Sequence, residues 1–361
     1  MIKVNHVKPQ LSLDQWKPIG AVEGRNSEVW IARDTQLEQV LILKKITKKS
    51  LDKQNVEDYF SEAKILNESN HPHIMPIFYS AEDEENVYIT MPYYNNGSLN
   101  TIIDSASLTI REIIKYSLDF LSGLLFIHIK GLLHLDIKPT NIIINDIDRA
   151  VLTDFGLSKY LDENGFADQE WQYVQHRSPE SYTTSKKTVL DDIYQAGLTL
   201  YRLCNGNEEF KIQFENLKLK HHADHSKMMK SITKGEFPNR KKYLPHIPVK
   251  LRRIINKMIH PDVNIRYQDV LSIINDLSKI GETLDWKCGI IKREQEFEFV
   301  YDNGKSVITI NLIQSSNKYL TSGTKYIYES KKRTNVNKVK KTHNSLEKAF
   351  EFLENNFPKY S

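Results

Sequence analysis

Hydrophobic and polar positions divide this chain into three stretches of different rhythm. Within 17–48, the alternation in Glu28-Val29-Trp30-Ile31-Ala32 and the apolar run Val40-Leu41-Ile42-Leu43 predict three strands. Phe60, Ala63 and Ile65-Leu66 then recur near helical spacing, which predicts a helix over 56–68, stopped by His71-Pro72-His73. Two further strands, 75–81 and 87–91, are expected on either side of the acidic turn Glu82-Asp83-Glu84-Glu85-Asn86. From Ser98 the spacing becomes helical, over 99–104, 111–130, 188–204, 249–259 and 267–280. Beyond Leu284 strand-like segments return at 286–292, 294–301, 305–314 and 325–329, with Asp302-Asn303-Gly304 as a hairpin turn. A last amphipathic helix starts at Ser345 and carries Leu346, Ala349-Phe350 and Leu353 on one face. The pattern therefore predicts a small antiparallel β unit with one helix over 1–92, a helical unit over 93–281 and a β-rich module with a terminal helix over 282–361. The sequence has no internal repeat at solenoid spacing.

Composition narrows the picture. A chain of 361 residues can bury a large core without staples. Cys204 and Cys288 lie far apart without a partner pattern, which fits a reducing compartment and excludes both a disulfide framework and a four-thiolate zinc site. The longest apolar stretch, 118–135, is broken by Asp119, His128 and Lys130, so no membrane span is expected. Met1 to Gln10 is polar and has no apolar core of a signal peptide, and a cytoplasmic protein is expected. The net charge of +4, spread over 50 basic and 46 acidic residues, implies neither a nucleic-acid nor a membrane partner by itself. Its distribution is less even: within 315–344, eight Lys or Arg stand against one acid, Glu329.

The richest chemistry lies in His134-Leu135-Asp136-Ile137-Lys138-Pro139-Thr140-Asn141, followed by Asp154-Phe155-Gly156. Phosphoryl transfer from ATP needs a carboxylate to orient the accepting hydroxyl, an amide and a carboxylate to hold magnesium, and a lysine near the moving phosphate. Asp136, Asn141, Asp154 and Lys138 have those chemistries in that order and spacing. The segment resembles the catalytic loop and metal-binding turn of protein kinases, and the resemblance covers about residues 16–280. It implies an α+β, bilobal protein-kinase-like fold, with an antiparallel sheet and one helix in the first lobe and a helical second lobe. The residues beyond then form a small β-meander plus helix domain.

The resemblance also implies ATP and Mg2+ as cofactors and a role for each matching residue. Asp136 orients the substrate hydroxyl, Lys138 neutralises the transferring phosphate, and Asn141 and Asp154 ligate the metal. Lys138 two residues after Asp136 is the pattern of Ser/Thr kinases, so a protein Ser/Thr hydroxyl is the implied acceptor. Lys44 matches the strand lysine that pairs ATP phosphates, on the view that Ile42 and Ile46 fall on the opposite register; Lys45 is the fallback. Glu62 matches the helix glutamate that fixes this lysine, and Gly24 is the one glycine of the phosphate loop that aligns through Val29. Met91 takes the gatekeeper place, main-chain groups at Pro92 and Tyr94 reach adenine, and Val29 and Ile42 sandwich the ring. Glu180 of Arg177-Ser178-Pro179-Glu180 is expected to pair with Arg266, and Asp192 to steady the catalytic loop.

Three departures from the kinase pattern matter. The phosphate loop has Val22 and Ser27 in two glycine positions. Leu135 replaces the arginine that receives an activation-loop phosphate, and no threonine occurs between Gly156 and Ser178, so activity independent of activation-loop phosphorylation is expected. Tyr173 stands where Ser/Thr kinases have a threonine bonded to the catalytic aspartate and lysine. An active kinase is preferred because every group touching magnesium, phosphate or hydroxyl is present; the alternative is a pseudokinase acting as a nucleotide-binding scaffold. A small-molecule kinase of the same fold ranks below both. For the basic C-terminal stretch, read as a Lys-rich loop, a solvated hairpin or protein docking is preferred over nucleic acid, since few aromatics beyond Tyr326 and Tyr328 are interleaved.

Overall fold

The computed structural model describes residues 11–19, 27–48, 71–105, 107–169, 172–290 and 296–360. The chain forms two compact units, Met1–Asn96 and Gly97–Ser361. The helix expected over 56–68, together with Gly24 and Glu62, lies outside the described residues.

In the first unit, β1 (Leu13–Pro18), β2 (Ser27–Asp34), β3 (Gln39–Thr47), β4 (Tyr79–Glu82) and β5 (Asn86–Pro92) form an antiparallel sheet of order β1-β2-β3-β5-β4. The β2–β3 turn is set by Asp34, whose Oδ1 accepts the N–H groups of Gln36 and Leu37 while Oδ2 accepts the Tyr79 hydroxyl. Asp83 closes the acidic turn in the same way, accepting from the backbones of Glu85 and Asn86 and from the Tyr88 hydroxyl. Those bonds favour its ionised form and pull its pKa down to about 2. β4 starts four residues later than the sequence pattern suggests, because Pro76 has no N–H to give a ladder.

The helical part of the second unit comprises α1 (Leu99–Ser105), α2 (Ile110–Ile129), α3 (Val189–Asn205), α4 (Asn207–Lys220), α5 (His225–Thr233), α6 (Val249–Met258) and α7 (Val270–Leu277). Reciprocal caps start α2, at Thr109 with Glu112, and α3, at Thr188 with Asp191. Every residue of α3 from Asp191 to Asn205 is buried, so this helix is the axis on which the unit is built. Gly197 permits that packing: a Cβ there would lie 2.6 Å from Ile259 and 2.7 Å from Met258, both side-chain carbons at the end of α6. α4 and α5 were not expected from the sequence. α7 begins three residues later than expected, at the cap Asp269, because Arg266 and Tyr267 are turned into contacts with Glu180 and Asp276. Among the described residues no helix is long and apolar enough to cross a membrane.

The C-terminal residues form a sheet of β12 (Trp286–Ile290), β13 (Phe297–Asp302), β14 (Ser306–Ser315), β15 (Lys318–Ile327), β16 (Lys332–Asn335) and β17 (Lys341–His343), with α8 (Leu346–Glu354) on one face. The hairpin at Asp302-Asn303-Gly304 forms as expected, with Gly304 at φ 74° and the Asn303 side chain accepting from Lys305 and Ser306. Two expectations need correction. The strand assigned to 325–329 is the end of a ten-residue strand, and the stretch read as a Lys-rich loop contains β16 and β17, both hydrogen-bonded to β15. Apart from the buried His343, their side chains stay in solvent, so no apolar alternation marks them.

This sheet is fastened to the helical part. Its buried cluster, including Trp286, Phe299, Ile310, Leu353 and Phe357, packs against Leu244. Arg111 on α2 makes a two-pronged pair with Asp285, at 2.7 and 3.1 Å, and Arg252 on α6 reaches Glu354 at 2.9 Å. His246 is buried in the same contact, its ring centroid 5.6 Å from that of Phe299, and its Nδ1 has no hydrogen-bond partner among the described residues. Burial, reinforced by the nearby Arg252 charge, lowers its pKa from 6.5 to about 3. The neutral ring is thus required for packing, and its contribution is present above the unfolded-state pKa and lost as pH falls toward the folded one. From about pH 7 to about pH 5, wild type should lose about 2 kcal/mol more stability in urea unfolding than His246→Leu. Parallel pH slopes for the two proteins would show that His246 is protonated without cost in the folded state.

Candidate active site

The chain enters the site from β6 (Leu132–Leu133), passes through the loop 134–138 and a 3-10 turn at Pro139–Asn141, and leaves along the β7 (Ile142–Ile144) and β8 (Ala150–Leu152) hairpin. The loop cannot satisfy its own backbone, since Leu135 adopts a left-handed conformation at φ 64° and is fully buried. α3 supplies the partners. Asp192 accepts the N–H groups of His134 at 2.8 Å and Leu135 at 2.7 Å. Gln195 accepts the N–H of Ile137 and donates to the Leu135 carbonyl, both at 2.9 Å. His128 closes on Asp192 at 2.8 Å, and His176 bonds the Ile137 carbonyl at 3.0 Å while Arg202 lies 3.0 Å from its other ring nitrogen. Asp192 was expected in this role. Gln195 and His176 were not, although Gln195 follows Asp192 by one helical turn and so shares its face.

With the loop held, its polar side chains converge. Lys138 Nζ lies 3.1 Å from Asp136 Oδ2, and Asn141 Nδ2 donates to both the carbonyl and Oδ2 of Asp136, at 2.9 and 2.8 Å. Burial pushes the Asp136 carboxyl above its ordinary pKa; the Lys138 charge opposes this and the Asp154 charge adds to it. Burial also keeps His134 neutral, with its ring against Phe155 at 4.7 Å between centroids. Asp154 sits at φ 63°, a left-handed backbone that turns the chain at the Asp-Phe-Gly triplet. A divalent magnesium ion suits this donor set. Asn141 commits its amide nitrogen to Asp136 and so presents its oxygen, and the carboxylate of Asp154 is a second hard oxygen donor. Among the described residues no cluster of three or more His, Cys, Asp or Glu forms a separate metal site.

In the first unit, register decides which residues share a face. Val29 is paired across β2–β3 with Lys44, and Ile42 across β3–β5 with Met91. Val29, Ile42, Lys44 and Met91 therefore lie on one face, while Leu41 and Leu43 are buried on the other with Ala32. This corrects the expected register: Ile42 and Ile46, two residues either side of Lys44, share its face instead of opposing it. Lys45 points the other way, 3.9 Å from Glu28. Pro92 ends β5 opposite Leu41, and Tyr94 follows, half-buried.

The segment after Asp154 is tied down at both ends. β9 (Lys159–Tyr160) pairs with β6, and β10 (Ala167–Asp168) pairs with β11 (Lys186–Lys187). Leu135 is buried with Leu133 and Ala167, packed on by Leu157, Leu161 and Val189, so an apolar cluster joins the catalytic loop to this segment. Tyr173 does not imitate a threonine: its ring lies under Lys138, 4.9 Å from Nζ, and its hydroxyl bonds Gln175. Glu180 and Arg266 form the expected pair, two-pronged at 2.7 and 3.0 Å. Beside it Asp191 accepts from Ser178 and Ser181, while the fully buried Lys187 donates to Ser181 and to the Thr184 carbonyl. This second network was not anticipated from the motifs.

A sheet unit carrying a strand lysine, followed by a helical unit with a clamped Asp-x-Lys loop and an Asp-Phe-Gly turn, defines a protein kinase domain, and the family model described as protein kinase domain matches residues 14–276. The chain belongs to that family. It is similar to serine/threonine-protein kinase PknD of Protochlamydia amoebophila, 26% identical over 310 residues that cover 75% of this chain and 30% of the relative. The probable serine/threonine-protein kinase PknB of Lactococcus lactis is 27% identical over 272 residues, covering 73% and 41%. Human 3-phosphoinositide-dependent protein kinase 1 is 26% identical over 249 residues, covering 68% and 42%. The chain thus matches less than half the length of each of these relatives.

The clamp yields a direct test. Gln195→Leu would leave the buried N–H of Ile137 and carbonyl of Leu135 unpaired, at about 1–3 kcal/mol each. A loss of about 2–6 kcal/mol in urea unfolding is expected; a change within about 0.5 kcal/mol would mean that the loop is not held by this residue.

Proposed function

We propose that the chain is an ATP-dependent protein kinase that transfers the γ-phosphate to Ser or Thr hydroxyls without requiring phosphorylation of its own activation segment. The observation that carries the reading is the convergence of Asp136, Lys138 and Asn141 on a loop clamped by Asp192 and Gln195. Asp136, made more basic by burial, orients the acceptor hydroxyl and takes up its proton. Lys138 sits beside it to offset charge on the transferring phosphate. Asn141 and Asp154 would hold magnesium, which would supply charge neutralisation at the phosphates. Lys44 binds the phosphates; Gly24 and Glu62, which lie outside the described residues, keep the roles that the kinase resemblance implies. Val29, Ile42 and Met91 form the apolar seat for adenine, with backbone groups of Pro92 and Tyr94 at its edge. The Ser/Thr relatives support the choice of acceptor.

Independence from activation-segment phosphorylation draws on the apolar cluster. An arginine in place of Leu135 would be a buried cation in need of an anion; Leu135 needs only the packing it has. Ser158 and Ser178 of this segment are fully buried, which leaves no exposed Ser or Thr hydroxyl between Gly156 and Ser178 among the described residues. The scaffold reading draws on Tyr173, whose ring occupies one side of Lys138. Labelled ATP separates the two. With magnesium, wild type should place phosphate on Ser or Thr of itself or a generic acceptor, and Asp136→Asn should be slower by about 100-fold or more. Phosphosites equal in number and rate in both proteins would favour the scaffold.

A further inference from the structure

Lys138 has a second contact besides Asp136. A lysine ammonium carries three N–H donors on a flexible four-carbon stem, so a single bond leaves it free to swing. One bond runs to Asp136, with Nζ 3.1 Å from Oδ2. The face of the Tyr173 ring is the other contact, its centroid 4.9 Å from Nζ. That distance lies inside the range of about 6 Å over which the negative face of an aromatic ring attracts a cation. The lysine side chain is only 11% exposed, so water screens both contacts weakly. With one N–H on the carboxylate and the ammonium resting on the ring, donor capacity remains for an incoming anion.

Tyr173 is in turn fixed to the same loop. Its carbonyl accepts the His176 N–H at 2.9 Å, closing a 3-10 turn over Val174–His176, and its ring lies 5.9 Å from the His176 ring between centroids. The two bonds of His176 settle which of its nitrogens carries the proton. An arginine has only N–H groups to offer, so Arg202 donates to Nε2. The proton therefore sits on Nδ1, which donates to the Ile137 carbonyl at 3.0 Å. Burial and the Arg202 charge hold His176 well below its ordinary pKa, so the ring stays neutral. The Ile137 carbonyl belongs to the planar peptide whose nitrogen is that of Lys138. A closed circuit results: Lys138 rests on Tyr173, Tyr173 on His176, and His176 holds the peptide from which Lys138 departs.

We propose that Tyr173 is a positioning residue for phosphoryl transfer, and that its ring face, not its hydroxyl, holds the Lys138 ammonium beside Asp136. The inference rests on the kinase reading and adds one residue to it. In the transfer, the acceptor oxygen bonds the γ-phosphorus, the bond from that phosphorus to the bridging oxygen of ADP breaks, and the acceptor proton passes to Asp136. Lys138 stays protonated throughout and offsets charge on the moving phosphate, so its value depends on where its ammonium is held. The Tyr173 hydroxyl takes no part in this, because it donates to the Gln175 side chain at 3.2 Å. The requirement at this position is therefore a π face. Phenylalanine meets it and an aliphatic side chain does not.

The test compares the full chain with Tyr173→Leu and Tyr173→Phe in steady-state kinetics with ATP, magnesium and a Ser- or Thr-containing acceptor peptide, at a temperature where circular dichroism shows all three folded. Tyr173→Leu should lower kcat by about 10-fold, as expected for loss of a desolvated cation–π contact. KM for ATP should stay within about 2-fold, since the ring acts on the transfer and not on nucleotide binding. Tyr173→Phe should recover kcat to within about 2-fold of wild type, because it keeps the ring. A second readout needs no activity: NMR of protein isotope-labelled at lysine Cε, with the Lys138 signal assigned through Lys138→Arg. The ring current should move the Lys138 Hε protons upfield in wild type and Tyr173→Phe, and not in Tyr173→Leu. Unchanged kcat in Tyr173→Leu, an equal loss in Tyr173→Phe, or one Hε shift common to all three proteins would overturn the proposal. Failure of the kinase reading looks different: a wild type with the upfield Lys138 signal that transfers no phosphate leaves the contact in place and removes the catalytic role built on it.

Discussion

The structure depends on the capture of one loop by one helix. Residues 134–137 carry a left-handed leucine and have no regular secondary structure through which to pair their N–H and C=O groups. Buried backbone groups left unpaired cost about 1–3 kcal/mol each, so the loop holds its shape only if something else supplies partners. Asp192 and Gln195 do so from the first turns of α3, a helix buried from Asp191 to Asn205. The position of Asp136 is therefore fixed through a helix that is buried along almost its whole length. Asn141 then bonds Asp136 through both backbone and carboxylate, which orients its own oxygen.

Charge and apolar packing divide the work around that loop. On one side lie the charged groups of the candidate site, where burial raises the proton affinity of Asp136 and Lys138 limits the rise. On the other side Leu135 joins Leu133 and Ala167 in a cluster with no charge to satisfy. The strand pairs β6–β9 and β10–β11 hold the same segment through backbone hydrogen bonds. On the proposed reading, this packing would stand in for the order that a phosphate and an arginine provide by ion pairing.

Much of the site was legible because its chemistry is local. Asp136, Lys138 and Asn141 lie on one loop and bond one another, and Asp154 follows after a short hairpin. The Glu180–Arg266 pair was legible from the motifs alone, although the partners are far apart in sequence. The register of β3 was misjudged because an apolar residue on each side of Lys44 was taken for the opposite face, whereas strand period places residues two apart together. Gln195 was missed because a glutamine on a buried helix announces nothing until its partner loop is known. β16 and β17 were missed for a related reason: they are strands by virtue of bonding to β15, and their lysines and threonines need no apolar alternation. α4 carried a readable signal in Phe210, Phe214 and Leu217, whose burial on one face follows helical spacing.

Activity of the protein before and after exhaustive phosphatase treatment tests this account most directly. If packing around Leu135 holds the activation segment, the initial rate of γ-phosphate transfer from ATP with magnesium should be unchanged by removal of every phosphate. A rate that collapses on dephosphorylation and returns with rephosphorylation of the segment would contradict it.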